Sequence, residues 1–478
     1  MKSLLISLSL IATAAFANNI EKVRSESQTL NNYAPNLHKK ILSNIENKNP
    51  LHGRELRLMH EMVSHYIRID KEFIQLSNSS KSVAEKVLLN LDRYQSFLIN
   101  YEPYYSTKKF RRYVNDEDLT FTLKRHDLNK LIMPLLNSKN LLSLNESIKE
   151  ALDSNQNAEI ILKIATHNAL AFVQNVKEIK TLNKNYNEYY KSDLKNDRLV
   201  DATDRLSGGF GNTAGGVRWR KGHLLKKTNI HKEILNQLKP LDIITEKTYF
   251  ALTDKLIPGH FGHNAIWLGT KEELIQNGMW DHKAIKPYQK DIEAGKSILE
   301  SDRTGTHLKS LKVFMNVDEF AILRLKEIHA LTNDRVEEIY TVALSQIGKI
   351  YDFNFDVETT DKLVCSELLY QSFTNVFWPT KPYIGRVTIT PDNVTSLALY
   401  DNPPINLVYY VAQKKKKEAH RYKNLDQLAN DLDFAKVSGL YKRVVKKCKD
   451  GDLDQKVCDP EYEDLHYIGH EEITGIKL

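Results

Sequence analysis

The chain has 478 residues, 41% of them hydrophobic and 27% charged, a balance that excludes collagen-like, low-complexity and wholly disordered classes. Its 68 Lys+Arg against 61 Asp+Glu leave a net charge of +7, a mild basic bias that falls short of a nucleic-acid footprint. Three cysteines are too few for a disulfide scaffold or a four-thiolate zinc site.

Met1-Lys2-Ser3 precedes an apolar run, Leu4 to Ala14, and then Ala15-Phe16-Ala17. One basic residue, a short hydrophobic stretch and a small-x-small triplet are the plan of a cleavable export signal over 1–17. The run is too short to span a bilayer, so the mature chain is expected to be periplasmic or secreted, with no transmembrane segment. Residues 18–204 read as an all-α domain. Val83, Val87, Leu91, Tyr94 and Leu98 recur at spacings of three and four, and Ile160 to Ile179 make a second such stretch with His167 inside it. His167 has no partner at ligand spacing and is read as a packed or solvated side chain.

Six of the 19 glycines cluster in 207–222, which is read as flexible turns leading into a new domain over 205–411. Gly209, Gly211 and Ala214 fit a dinucleotide fingerprint only by chance, since no buried strand precedes them. Strands are expected at Leu241–Ile244, His263–Leu268, Ser297–Glu300 and Phe320–Leu325. A helix follows at 333–348, then an extended segment at Tyr351–Phe355 and a helix from Cys365 to Phe373, which together make an α+β core. Residues 412–478, opening with Lys414 to Lys417, are read as a basic linker and a small helical appendage. In an oxidising compartment Cys448 and Cys458 are a candidate disulfide.

That leaves Cys365 as a lone thiol. The pattern places it in the first turn of a helix, where unpaired N–H groups favour the thiolate and offer donors to an oxyanion. A glycine-rich turn delivers His263 onto the start of a strand, and Glu300 closes the next strand. A strand-borne imidazole facing a helix-borne thiol, with a carboxylate behind the ring, is the arrangement of an activated cysteine nucleophile. A weaker alternative takes His260 and His263, with Glu300 or Asp254, as three zinc ligands. Tyr351, Asp352 and Ser366 are candidate pocket-lining residues, with turn formation and packing an equal role for the first two.

The blocks LDIITEKTYFALTDKLIPGHFGHNAIWLG, GKSILESDRTGTHLKSLKVFMNVDEFAILR and GKIYDFNFDVETTDKLVCSELLY resemble the YiiX/YebB-like cysteine hydrolases. These are the circularly permuted branch of the NlpC-type papain-like superfamily. In ordinary papain-like enzymes the cysteine precedes the histidine; here His263 precedes Cys365, as permutation requires. The resemblance covers roughly 205–411. It implies a permuted papain-like domain with an antiparallel sheet, no cofactor and no metal. By it Cys365 is the nucleophile, His263 the general base and Glu300 the orienting residue. Family members often read Pro-Gly-Asp where this chain has Pro240-Leu241-Asp242, and Glu-Ala where it has Glu300-Ser301.

The expected function is an exported cysteine hydrolase that cleaves an amide in cell-wall peptides through an acyl-enzyme. Two alternatives stay open at this level: a lipid acyltransferase or thioesterase using the same site, and a non-catalytic envelope scaffold. The expected partner is a peptide or lipid-derived amide rather than nucleic acid. Oligomeric state is not readable from the residues.

Overall fold

The computed structural model describes residues 2–154, 157–216, 218–250, 259–326, 332–353, 355–383, 386–414, 418–450 and 456–467. The chain divides into two compact units, with the boundary between residues 201 and 202 and with 52–54 grouped with the second unit.

The first unit is helical, as expected. Its long helices are Lys2–Glu46, Gly53–Ser79, Val83–Asn100, Ser138–Leu152 and Val176–Gly216. The helix at Val83 starts where predicted because the Ser82 hydroxyl accepts the Glu85 N–H at 3.3 Å, satisfying one of the free donors of the first turn. Val87, Leu91 and Tyr94 form its buried stripe. The second predicted stretch is broken. Ala158–Ala165, Leu170–Gln174 and the helix from Val176 are separate, interrupted at Thr166-His167-Asn168 and at Asn175. Thr and Asn compete with helical bonding through their own side chains, so an apolar period of the right length still fragments there. His167 therefore sits between helices, with its Nε2 3.2 Å from Asp92 Oδ1. The glycine-rich turns predicted at 207–222 are also overturned in part, because the last long helix continues to Gly216. The helix runs on there against a cost of about 1 kcal/mol per glycine, so local propensity does not set its end. No helix among the described residues is long and apolar enough to cross a membrane.

The second unit is built on an antiparallel sheet. Its strands are β1 (Ile243–Lys247), β2 (His263–Trp267), β3 (Ile298–Asp302), β4 (Gly305–Lys309) and β5 (Glu319–Leu325). After the short pairs β6 (Ile350–Tyr351) with β7 (Lys362–Leu363), and β8 (Lys381–Tyr383) with β9 (Arg386–Thr388), come β10 (Ile405–Ala412) and β11 (His420–Tyr422). The seven-stranded sheet has the order β11-β10-β5-β1-β2-β3-β4. Its central strands are buried on both faces, which explains their near-continuous Ile, Ala and Leu content. One face packs Ile244, Ala265 and Ile322 against Ile230 and Ile234 of the helix Thr228–Gln237. The other packs Ile243, Ile266 and Leu323 with Leu368 and Leu369 of the helix Cys365–Ser372 and Ile339 of the helix Asn333–Ser345.

Three expectations change here. The hairpin partner β4 was not predicted, although Thr304-Gly305 leading into alternating His307 and Lys309 carries its signature. Among the described residues of the extended segment Tyr351–Phe355, Tyr351 alone lies in a strand, paired in parallel with Leu363. Beyond 411 the chain keeps one short helix, Asp426–Asp431, but is mainly strand rather than linker: β11 completes the main sheet, and β12 (Phe434–Val437), β13 (Leu440–Asp450) and β14 (Lys456–Glu463) form a second one. The turn Ser438-Gly439 has positive φ at both residues (53° and 88°), the two-residue hairpin geometry that a Ser-Gly pair between β-branched runs announces.

Leu241 explains the first departure from the family pattern. Its φ is +66°, a conformation that favours glycine, yet the residue is buried in the core beside Ile266 and Leu268. Apolar burial of about 2–3 kcal/mol offsets a left-handed strain of about 1–2 kcal/mol. Elsewhere glycine is worse than alanine by up to about 1 kcal/mol. At this position the order should invert, with Leu241→Gly denaturing at no lower a urea midpoint than Leu241→Ala. The usual order would mean the positive φ carries no strain.

Candidate active site

Cys365 opens the helix Cys365–Ser372, which packs on β2 and β3. The helix forms because Leu368, Leu369 and, just past its end, Phe373 bury an apolar stripe. Each contributes on the order of 1.5–3 kcal/mol. The thiol is 3% exposed. Leu368 is the first residue of the helix to donate an intrahelical bond, to the Val364 carbonyl at 3.1 Å, so the amides of Cys365, Ser366 and Glu367 belong to the free first turn.

His263 starts β2 and Glu300 lies in β3, whose neighbouring residue pair Ala265–Glu300 is in register. Ala265 and His263 share a face two residues apart, which brings the ring over the carboxylate. His263 Nε2 lies 2.8 Å from Glu300 Oε2. That leaves Nδ1 for the sulfur, and ring and thiol are near enough to move each other's titration. Burial alone would depress the imidazolium, but the Cys365 sulfur and the Glu300 carboxylate outweigh it and raise His263 well above its ordinary value. Burial likewise opposes the thiolate, yet the His263 charge and hydrogen bond, the Asn264 backbone N–H and the Ser366 hydroxyl lower the Cys365 pKa. The arrangement favours a thiolate–imidazolium pair.

Glu300 has further support that sequence reasoning missed. Burial pushes its carboxyl up, but His263, His307 and Lys309 hold it below the usual carboxylate range. Lys309 pairs directly with Oε1, and His307 Nε2 lies 3.4 Å from the same oxygen. Both cations sit on β4, with His307 directly opposite Glu300. The second family departure is harmless to this geometry. Ser301 points away from the pair, is fully buried, and donates its hydroxyl to the Leu363 carbonyl at 2.9 Å, tying β3 to the segment that delivers Cys365.

The structure separates His260 from this group. Its Nε2 contacts Glu319 Oε2 at 2.7 Å, in a network where Tyr410 and Tyr249 also donate to Glu319. Glu319 aligns with Lys247, whereas His263 aligns with Glu246, so the two histidines serve opposite faces of the sheet. The three-ligand zinc reading on His260, His263 and Glu300 therefore does not hold; Asp254 lies outside the described residues.

Two candidate pocket residues are corrected. Ser366 is fully buried and donates to Asn264 Oδ1 at 2.9 Å, locking the helix to β2 rather than facing a ligand. Asp352 is 2% exposed and accepts the Asp356 N–H at 2.9 Å, which is the turn-forming role. Tyr351 does lie beside the nucleophile: burial and then the Cys365 charge push its phenol well above the ordinary range. Asn264 and Glu367 had no signal beyond lying one residue from His263 and two residues from Cys365.

Residues 237–438 match the model of the permuted papain-like amidase enzyme, YaeF/YiiX, C92 family. Over this segment the chain is similar to the YiiX-like permuted papain-like hydrolases. No curated protein and no solved structure matches the chain. The match places the domain among amidase-type cysteine hydrolases. It begins later than the resembling stretch and runs past it to include β11, in agreement with the extended sheet. The helical first unit lies outside it.

Proposed function

We propose that the protein is an exported cysteine amidase that hydrolyses an amide bond in cell-wall peptides. The observation that carries the chemistry is the His263 ring held between Glu300 and Cys365, with the imidazole pKa raised and the thiol pKa lowered. The Cys365 thiolate attacks the carbonyl carbon, and the backbone amides of the free first turn receive the developing oxyanion. His263 passes its proton to the leaving amine as the C–N bond breaks, leaving a thioester on Cys365. It then takes a proton from the water that hydrolyses the thioester. Glu300 stays ionised throughout and holds the ring.

Support for the compartment comes from the export pattern in residues 1–17; support for a peptide substrate comes from the amidase family. Purified wall fragments incubated with the enzyme should yield a new amine and a new carboxylate. Trapping at low pH should place the matching acyl group on Cys365. An adduct formed only from lipid extract would reassign the substrate, and no adduct from either source would remove the hydrolase reading.

Export also makes the two remaining cysteines a testable pair. The register sets Cys448 directly opposite Cys458 on antiparallel β13 and β14. Facing positions on such a pair are about 4.5–5.5 Å apart at Cα, within the span a disulfide bridges. A non-reducing peptide map of exported protein should contain the linked 448–458 peptide, lighter by two hydrogens than the reduced form. Reduction should lower stability by about 2–3 kcal/mol. Two alkylatable thiols in the exported protein would refute the pairing.

A further inference from the structure

The first turn of the catalytic helix is closed from below by a side chain that the mechanism above does not use. Glu367 is fully buried, and its Oε2 accepts the Val364 N–H at 2.7 Å, immediately before Cys365. Its other oxygen is buried without a hydrogen-bond partner. The charged groups acting on it are all anionic: the carboxylates of Asp352 and Asp356 from the preceding loop, and the Cys365 sulfur on its own helix. Asp352, at 2% exposure, accepts a backbone N–H from Asp356 at 2.9 Å, a bond that supports its charge, and Asp356, at 8%, is the better-solvated carboxylate of the set.

We propose that Glu367 is a positioning residue that tunes Cys365 from behind, holding the first turn of the catalytic helix with a neutral carboxyl group. The inference rests on Cys365 being the nucleophile of the proposed reaction. A carboxylate would normally cap this turn with its charge. Here a second negative charge, buried two residues from the thiolate and against Asp352, would oppose the nucleophile it supports. A neutral acid keeps the hydrogen bond to Val364 and leaves the positive end of the helix to the sulfur. Burial, and then Asp352, push the Glu367 carboxyl well above the ordinary carboxylate range, in agreement with the unpartnered oxygen.

The test is the pH dependence of iodoacetamide alkylation in the full chain, read by mass spectrometry on the Cys365 peptide, for wild type, Glu367→Gln and Glu367→Ala. Gln reproduces a neutral acid with its acceptor oxygen, so its midpoint should lie within about 0.3 pH unit of wild type. Ala removes the acceptor, and its midpoint should rise by about one pH unit, with Gln rescuing the loss. A Gln midpoint a full unit or more below wild type would show that Glu367 is ionised and overturn the proposal. So would an Ala midpoint equal to wild type in folded protein; if Ala does not fold by circular dichroism, the Gln variant alone decides. A wild-type midpoint in the ordinary thiol range near 8.5 is a different failure. It removes the thiolate–imidazolium reading itself, and this inference with it.

Discussion

Cys365→Ala is expected to abolish turnover of any amide that the wild-type protein cleaves, with kcat/KM falling by on the order of 10^5–10^6. His263→Ala should cost nearly as much, and the double variant little more than either alone, because the two act as one unit. The reason is geometric. A thiol that is 3% exposed and lowered in pKa chiefly by one imidazole depends on that imidazole for its activation. The wild-type pH profile follows from the directions of the two shifts. The raised His263 and the lowered Cys365 leave a window in which both are ionised. Activity should fall on the acid side as the thiolate takes up a proton, and on the alkaline side as the imidazolium loses its own. Full activity in Cys365→Ala, measured on the same wall fragments, would end the mechanism.

Glu300→Gln should lower kcat/KM by on the order of 10^2–10^4 while leaving the fold in place. The carboxylate is one of the two negative charges that outweigh burial at His263. Without it burial gains, so the alkaline limb of the profile should move to lower pH. The thiol, with a weaker cation beside it, should titrate higher, and the active window should narrow from both sides. Lys309 and His307 would then face an amide instead of a carboxylate, a loss that Asp302, 3.1 Å from Lys309, offsets only in part. Ser301→Ala is the matched control, since it removes only the bond to the Leu363 carbonyl, worth about 1 kcal/mol. An unmoved alkaline limb in Glu300→Gln would show that Glu300 does not hold the imidazolium.

Much of the site was legible in the chain because its parts sit at element starts. A cysteine entering an amphipathic helix and a histidine entering an alternating strand are local patterns, and both elements begin at those residues. The supporting groups were not legible in the same way. Lys309 and His307 reach Glu300 only across a hairpin, and Asn264 reaches Ser366 across 102 positions of chain. Ser366 and Asp352 looked like pocket residues because proximity in sequence to a nucleophile was mistaken for exposure to its cleft. The C-terminal strands were misread for another reason: a lysine-rich run has no strong apolar period, and only the turn Ser438-Gly439 marks the hairpin.

By itself the sequence determined the helical first half, the α+β second half and the order of histidine before cysteine. Hydrophobic period, capping residues and turn residues act within a few positions, so each could be read without a fold. Only the tertiary structure decided which carboxylate holds which histidine, with Glu300 going to His263 and Glu319 to His260. Strand register sets that choice, because a side chain's face alternates with every residue and no local pattern records which neighbour it will meet. The same register, together with burial, turned Ser366 inward, left Glu367 beneath the nucleophile, and set Cys448 against Cys458.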